Sequence, residues 1–150
     1  MRTLKYIEKI NAPKRIVWET MLDEIKYREW AKAFSSESRY QGKWEEGTHI
    51  TFIDPNMGGT KAILEKVISY NYIHVKHVAT VDKNGVEDTE SEVAKNWIGT
   101  TETLSLEEGE GITELSVITV THDLFEKMFS ECWPKAIALL KDLCERNNRA

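Results

Sequence analysis

The stretch Asp123-Leu-Phe-Glu-Lys-Met-Phe-Ser-Glu-Cys-Trp-Pro-Lys-Ala-Ile-Ala-Leu-Leu-Lys-Asp-Leu-Cys-Glu-Arg-Asn147 decides the fold. Leu124, Phe125, Met128, Phe129, Cys132, Ala136, Leu139, Leu140 and Leu143 recur at spacings of three and four, which is one broad apolar face of an α-helix. Asp123 and Glu126 have the spacing of a capping box, so the helix is predicted to start there and to run to Asn147. Pro134 has no N–H to give to the carbonyl of Ser130, which predicts a kink near that residue. A helix with one apolar side needs a surface to lie on, and the residues before it supply one.

Upstream, apolar runs alternate with turn chemistry. Leu4–Ile10 has strand character and ends at Asn11-Ala12-Pro13. Pro13 suits a helix start, because its missing N–H would be unpaired in the first turn anyway. Ile16, Val17, Met21 and Leu22 then recur with helical spacing, and a second short amphipathic stretch follows around Ile25–Phe34. Six further strands are predicted at Ser38–Trp44, Thr48–Ile53, Thr60–Ile68, Tyr72–Val81, Trp97–Leu106 and Ile112–Val120. Glu45-Glu46-Gly47, Pro55–Gly59, Tyr70-Asn71, Asn84-Gly85 and Glu108–Gly111 punctuate them as turns. Strands joined by turns this short pair antiparallel, since parallel neighbours need crossover helices. The expected order is one strand, two short helices, six strands and a long helix: an antiparallel sheet with one face covered by the last helix.

At 150 residues the chain suits one domain, 1–150, and its 41% hydrophobic content excludes wholesale disorder. Twenty Lys and Arg against 25 Asp and Glu give a net charge of −5, a poor match to nucleic acid. No apolar run reaches the roughly 20 residues of a membrane span, so no membrane insertion is expected. The opening Met1-Arg-Thr-Leu-Lys-Tyr has no apolar signal core, so the expected compartment is the cytoplasm. Cys132 and Cys144 sit on the same helix, roughly 18 Å apart and beyond disulfide reach, which fits two free thiols.

Ile10-Asn-Ala-Pro13 followed by Val17-Trp18 resembles the opening signature of the SRPBCC superfamily, the START-like helix-grip proteins. Tyr27–Trp30, Gly42, Gly47, Trp97-x-Gly99, Thr113-x-Leu115 and Trp133-Pro134 with Leu140-Lys141 resemble its heat-shock protein 90 ATPase activator homologue (AHSA-like) branch. The resemblance covers essentially the whole chain. It implies an α+β helix-grip fold, with a curved seven-stranded antiparallel sheet wrapped around the C-terminal helix. A cavity between sheet and helix often accepts hydrophobic small molecules in this superfamily. Its members include lipid carriers, polyketide aromatase/cyclases and chaperone cofactors, so the resemblance implies no single activity.

Candidate chemistry is sparse. His74 and His77 lie three apart on a predicted strand, on opposite faces, and cannot chelate one ion. No metal-ligand, phosphate-loop or nucleophile-elbow motif occurs, and no cofactor is expected. By parity with Ile73 and Val75, His77 faces the helix, either as a hydrogen-bonded core histidine or as a pocket acid/base. Glu102 shares a face with Leu104 and Leu106, so it is either a strand-end carboxylate reaching water or a buried acid/base. From the sheet, Phe52, Leu64, Val75, His77, Leu104 and Val117 are the candidate ligand contacts, with Trp97 beside them. From the helix they are Phe125, Met128, Phe129, Cys132 and Trp133, large groups that either wall a pocket or simply fill a core.

Two segments hold the acidity. Asp82, Glu87, Asp88, Glu90 and Glu92 flank a single lysine, Lys83; Glu107, Glu108, Glu110 and Glu114 have no base among them. Successive turns alternate ends of a meander, so these segments belong at opposite ends and form no single patch. The same alternation puts Pro55–Gly59, the long lid-like connection Lys83–Asn96 and His122 at one end, where a cavity mouth is expected. The leading functional expectation is a binder of a small apolar molecule such as a lipid, polyketide or flavonoid. The alternatives are a chaperone-associated interaction domain and a cyclase-like enzyme using His77 or Glu102.

Overall fold

The computed structural model describes residues 1–149. Its sheet closes the two ends of the sequence on each other. Strand β1 (Arg2–Ile10) runs antiparallel to β8 (Ile112–Thr121), with Arg2 opposite Thr121 and Ile10 opposite Thr113. Between them come α1 (Lys14–Leu22), α2 (Glu24–Ala31), β2 (Arg39–Gln41), β3 (His49–Asp54), β4 (Gly58–Ile68) and β5 (Tyr72–Val81). A two-residue strand β6 (Glu87–Asp88), helix α3 (Glu92–Trp97) and β7 (Thr101–Gly109) complete the sheet. After β8, a 3-10 turn (Asp123–Phe125) leads into the long helix α4 (Glu126–Arg149). The strand order is β1-β8-β7-β5-β4-β3-β2, all antiparallel, with β6 paired to the end of β5. This is the α+β sheet-and-helix architecture that the chain order implies.

Alternation fixes the inner face. Along β5, Ile73, Val75, His77, Ala79 and Val81 are buried while their neighbours are half-buried or exposed. Along β8 the same period buries Thr113, Leu115, Val117, Thr119 and Thr121. Helix α4 faces this surface with Phe129, Trp133, Ala136, Ile137, Leu140 and Cys144. It stays helical through Pro134, and Ser130 Oγ donates to the Lys127 carbonyl one turn earlier (3.0 Å). Asp23 ends α1 and caps α2, its carboxylate accepting from the N–H groups of Ile25 and Lys26. Both thiols are free, and burial pushes the Cys144 thiol up to about 12, so it stays protonated and inert.

Five sequence expectations need correction. Trp97 does not open a strand: it closes α3, which Ser91 caps by accepting from Ala94 N–H, and the following strand starts at Thr101. Six residues are too few to show a helical period in sequence. The connection Lys83–Asn96 is therefore structured and not a free lid, with Ala94 fully buried under it. The helix start is not an Asp123 capping box. His122 Nδ1 accepts from Leu124 N–H, while the Asp123 carboxylate is held by the Met1 amino group (3.5 Å) and Arg2 Nε (3.6 Å). Finally, Gly58 and Gly59 belong to β4 rather than to the turn, and Ser38–Trp44 shrinks to the three residues of β2. Gly42 ends that strand at φ +126°, where a Cβ would lie 3.0 Å from the His49 carbonyl oxygen.

Candidate functional site

Where α2 and α4 cross the inner face of β3, β4, β5 and β7, the side chains leave a cavity of about 300 Å³. Phe52, Val75, His77, Glu102 and Leu104 reach it from the sheet, and Met128, Phe129 and Trp133 from α4. Trp97 reaches it from α3, an element the sequence did not reveal. Four candidate contacts stand elsewhere. Leu64 and Val117 are fully buried in the core behind the wall. Phe125 packs edge-on against the ring of Trp97 (4.5 Å, 87°), and Cys132 is half-buried outside the lining.

The wall the sequence missed comes mainly from α1, α2 and the segment between α2 and β3. Met21, Leu22, Tyr27, Trp30, Ala31 and Phe34 line the cavity, with Ser35, Ser38 and Trp44 beyond them. Ile53, Asp54, Gly58, Gly59, Thr60 and Ile73 complete it from the sheet. Tyr27, Trp30, Ala31 and Phe34 carry a signal at helical spacing, but the side they present depends on how α2 packs against α4. Trp30 stacks on Trp133 (6.3 Å, 22°), Phe34 meets Trp133 edge-on (5.0 Å, 84°), and Trp97 stacks on Phe129 (5.5 Å, 7°). These rigid rings give the cavity flat apolar walls at little conformational cost.

Polar groups converge at one part of this wall. His77 is 3% exposed, with Nδ1 3.0 Å from Thr60 Oγ1 and Nε2 3.4 Å from Glu102 Oε2. The Glu102 side chain is 15% accessible, so this carboxylate is half-buried at the cavity wall. Tyr27 is a firm proton holder, its phenol pKa raised by burial first and by the Glu102 charge second. The indole N–H groups of three wall residues, Trp44, Trp97 and Trp133, are buried with no acceptor among the described residues. His74, three residues away, lies on the other face with Thr103 Oγ1 (2.7 Å) and Glu65 (3.2 Å). Among the described residues no cluster of three His, Cys, Asp or Glu side chains suits a metal ion.

Asp54 ties the rim together. Its carboxylate accepts from the Ser35 hydroxyl and from the N–H groups of Glu37 and Asn56, joining the segment after α2 to the β3–β4 turn. Those bonds, the Ser35 hydroxyl first, hold its pKa below the ordinary aspartate value. A depressed folded pKa contributes stability that is present above the unfolded value, about 3.9, and is lost as pH falls through the folded one. Asp54→Ala is therefore expected to lower the urea midpoint at neutral pH and to flatten its decline below about pH 4. An unchanged acid limb in the variant would show that Asp54 is not this latch.

No protein-family model matches the chain, and no curated protein matches it in sequence. Solved structures do match. Protein MLL2253 from Mesorhizobium loti superposes with a TM-score of 0.77 over 97% of this chain and 98% of its own, at 13% identity. The Aha1 dimer from Colwellia psychrerythraea gives 0.71 over 97% of each chain at 17% identity. The chain has the helix-grip fold. CalU16 from Micromonospora echinospora has the same helix-grip architecture, at 0.66 over 97% of this chain, 78% of its own and 16% identity. Identities this low speak for a common fold and leave activity to be argued from the site. In this helix-grip chain the candidate site is the space between grip helix and sheet. No described helix is long and apolar enough to cross a membrane.

Proposed function

We propose that this helix-grip protein binds a small, mostly apolar molecule between sheet and α4. The observation that carries the reading is the aromatic-walled cavity of about 300 Å³, at the lower end of the size range of small-molecule sites. Flat rings on both sides suit a planar or chain-like guest of the lipid, polyketide or flavonoid kind. The contact between His77 and Glu102 supports a second reading, in which a bound compound is turned over by acid–base chemistry at that pair. The Aha1 fold likeness supports a third, a chaperone-associated role, which needs no cavity at all.

One experiment separates the first two readings. Protein purified without detergent is screened by native mass spectrometry, then titrated with lipids, flavonoids and polyketide-like aromatics while the indole N–H resonances are followed by NMR. The binding reading expects the Trp97 and Trp133 signals to shift with saturable ligand, and fails if no compound moves either. The catalytic reading further expects slow conversion of the bound compound, abolished in His77→Ala/Glu102→Ala.

A further inference from the structure

We infer that the molecule this cavity takes is an amine, held as its ammonium form against Glu102 with its apolar body among the aromatic rings. This rests on the ligand-binding reading and narrows it to one charge class.

The first observation is the charge of the wall. It contains two carboxylates, Asp54 and Glu102, one imidazole, and neither lysine nor arginine among the described residues. Asp54 is already occupied, since its two oxygens accept from Ser35, Glu37 and Asn56. Glu102 is not. Its one side-chain partner among the described residues is the His77 ring at 3.4 Å, longer than a good hydrogen bond, while a carboxylate has room for about four. A half-buried carboxylate with spare acceptor capacity is costly unless a cation or donor meets it, and the open side is the cavity.

The second observation is the kind of surface around the His77 ring that meets this carboxylate. The rings of Phe52 and Trp97 stand 6.0 and 5.5 Å from the His77 ring. Tyr27, whose phenol feels the Glu102 charge, packs edge-on against Trp30 (4.9 Å). Ring faces carry negative electrostatic potential and attract ammonium groups, so carboxylate and rings favour the same sign of guest. An acid would find the opposite. Its charge would lie near Glu102 with no lysine or arginine in the wall to balance it. His77 competes with the amine for the carboxylate and sets the baseline from which amine selectivity is measured.

The test uses matched probes on two bodies: naphthylethylamine, naphthylethanol and naphthylacetate, then octylamine, octanol and octanoate. Affinities are read near neutral pH by calorimetry and by quenching of tryptophan fluorescence. On at least one body the amine is expected to bind about tenfold more tightly than the alcohol, with the acid weakest. Glu102→Gln is expected to bring amine and alcohol to within about twofold while leaving alcohol binding in place. On both bodies, an acid or alcohol that binds as tightly as its amine, or an amine preference that survives in a folded Glu102→Gln, overturns the charge assignment and leaves the cavity reading standing. Failure of all six probes overturns both. The ranking in the unmodified protein decides the matter even if the variant does not fold.

Discussion

Alanine at Gly59 is expected to destabilise the protein by about 3–5 kcal/mol, at the severe end of single substitutions. A Cβ on Gly59 would lie 1.8 Å from the carbonyl oxygen of Phe52, 2.8 Å from its carbon and 2.9 Å from the Cα of Ile53. All three atoms are backbone, so no side-chain rotation relieves the overlap. Gly59 is held from both sides, opposite Ile53 on β3 and Val81 on β5, so β4 cannot shift away without breaking a second ladder. Gly111 and Gly47 make the contrast. Each has positive φ but nothing within 4 Å of the place a methyl group would take, so alanine there costs the left-handed strain of about 1–2 kcal/mol and no collision. Urea denaturation of Gly59→Ala and Gly111→Ala checks this. Equal midpoints for the two variants would show that β3 and β4 are not so closely apposed. Because Gly59 also lines the cavity, any folded fraction of its variant is expected to lose ligand binding as well.

The parts of this molecule legible in the sequence are those governed by one periodicity. The spacing of three and four from Met128 to Leu143 placed Phe129, Ala136 and Leu140 on the buried side of α4 but left out Trp133, Ile137 and Cys144, while period two along β5 placed His77 inward and His74 outward. Glu102 followed from the same parity. What period cannot supply is the way separate elements meet. Tyr27, Trp30 and Phe34 line the cavity because α2 lies against α4, a contact between residues about one hundred positions apart. Asp54 resembles an ordinary turn aspartate until the segment after α2 arrives to donate to it. The glycine pair at 58–59 has the composition of a turn, and only the approach of the Phe52 and Val81 carbonyls shows that it belongs to a crowded strand. Helix α3 was hidden for a different reason: in six residues the apolar period has no room to repeat.

Trp133 carries the other large effect, and two substitutions there separate packing from polarity. Its side chain is buried, stacked on Trp30 and met edge-on by Phe34, so Trp133→Ala is expected to cost about 3–5 kcal/mol through lost contacts and an enlarged void. That approaches the whole stability of many domains of this size, about 5–15 kcal/mol. Trp133→Phe keeps a ring between Trp30 and Phe34 and deletes an indole N–H that has no acceptor among the described residues. Removing an unpaired buried donor offsets part of the lost area, so this change is expected to cost less than about 1.5 kcal/mol. Urea midpoints measure both. If the phenylalanine variant fell as far as the alanine one, the indole would have a protein partner after all. If its stability holds, its affinity for any guest found by titration becomes the sharper readout. A guest oxygen on that N–H predicts weaker binding by about tenfold in Trp133→Phe, with the fold intact.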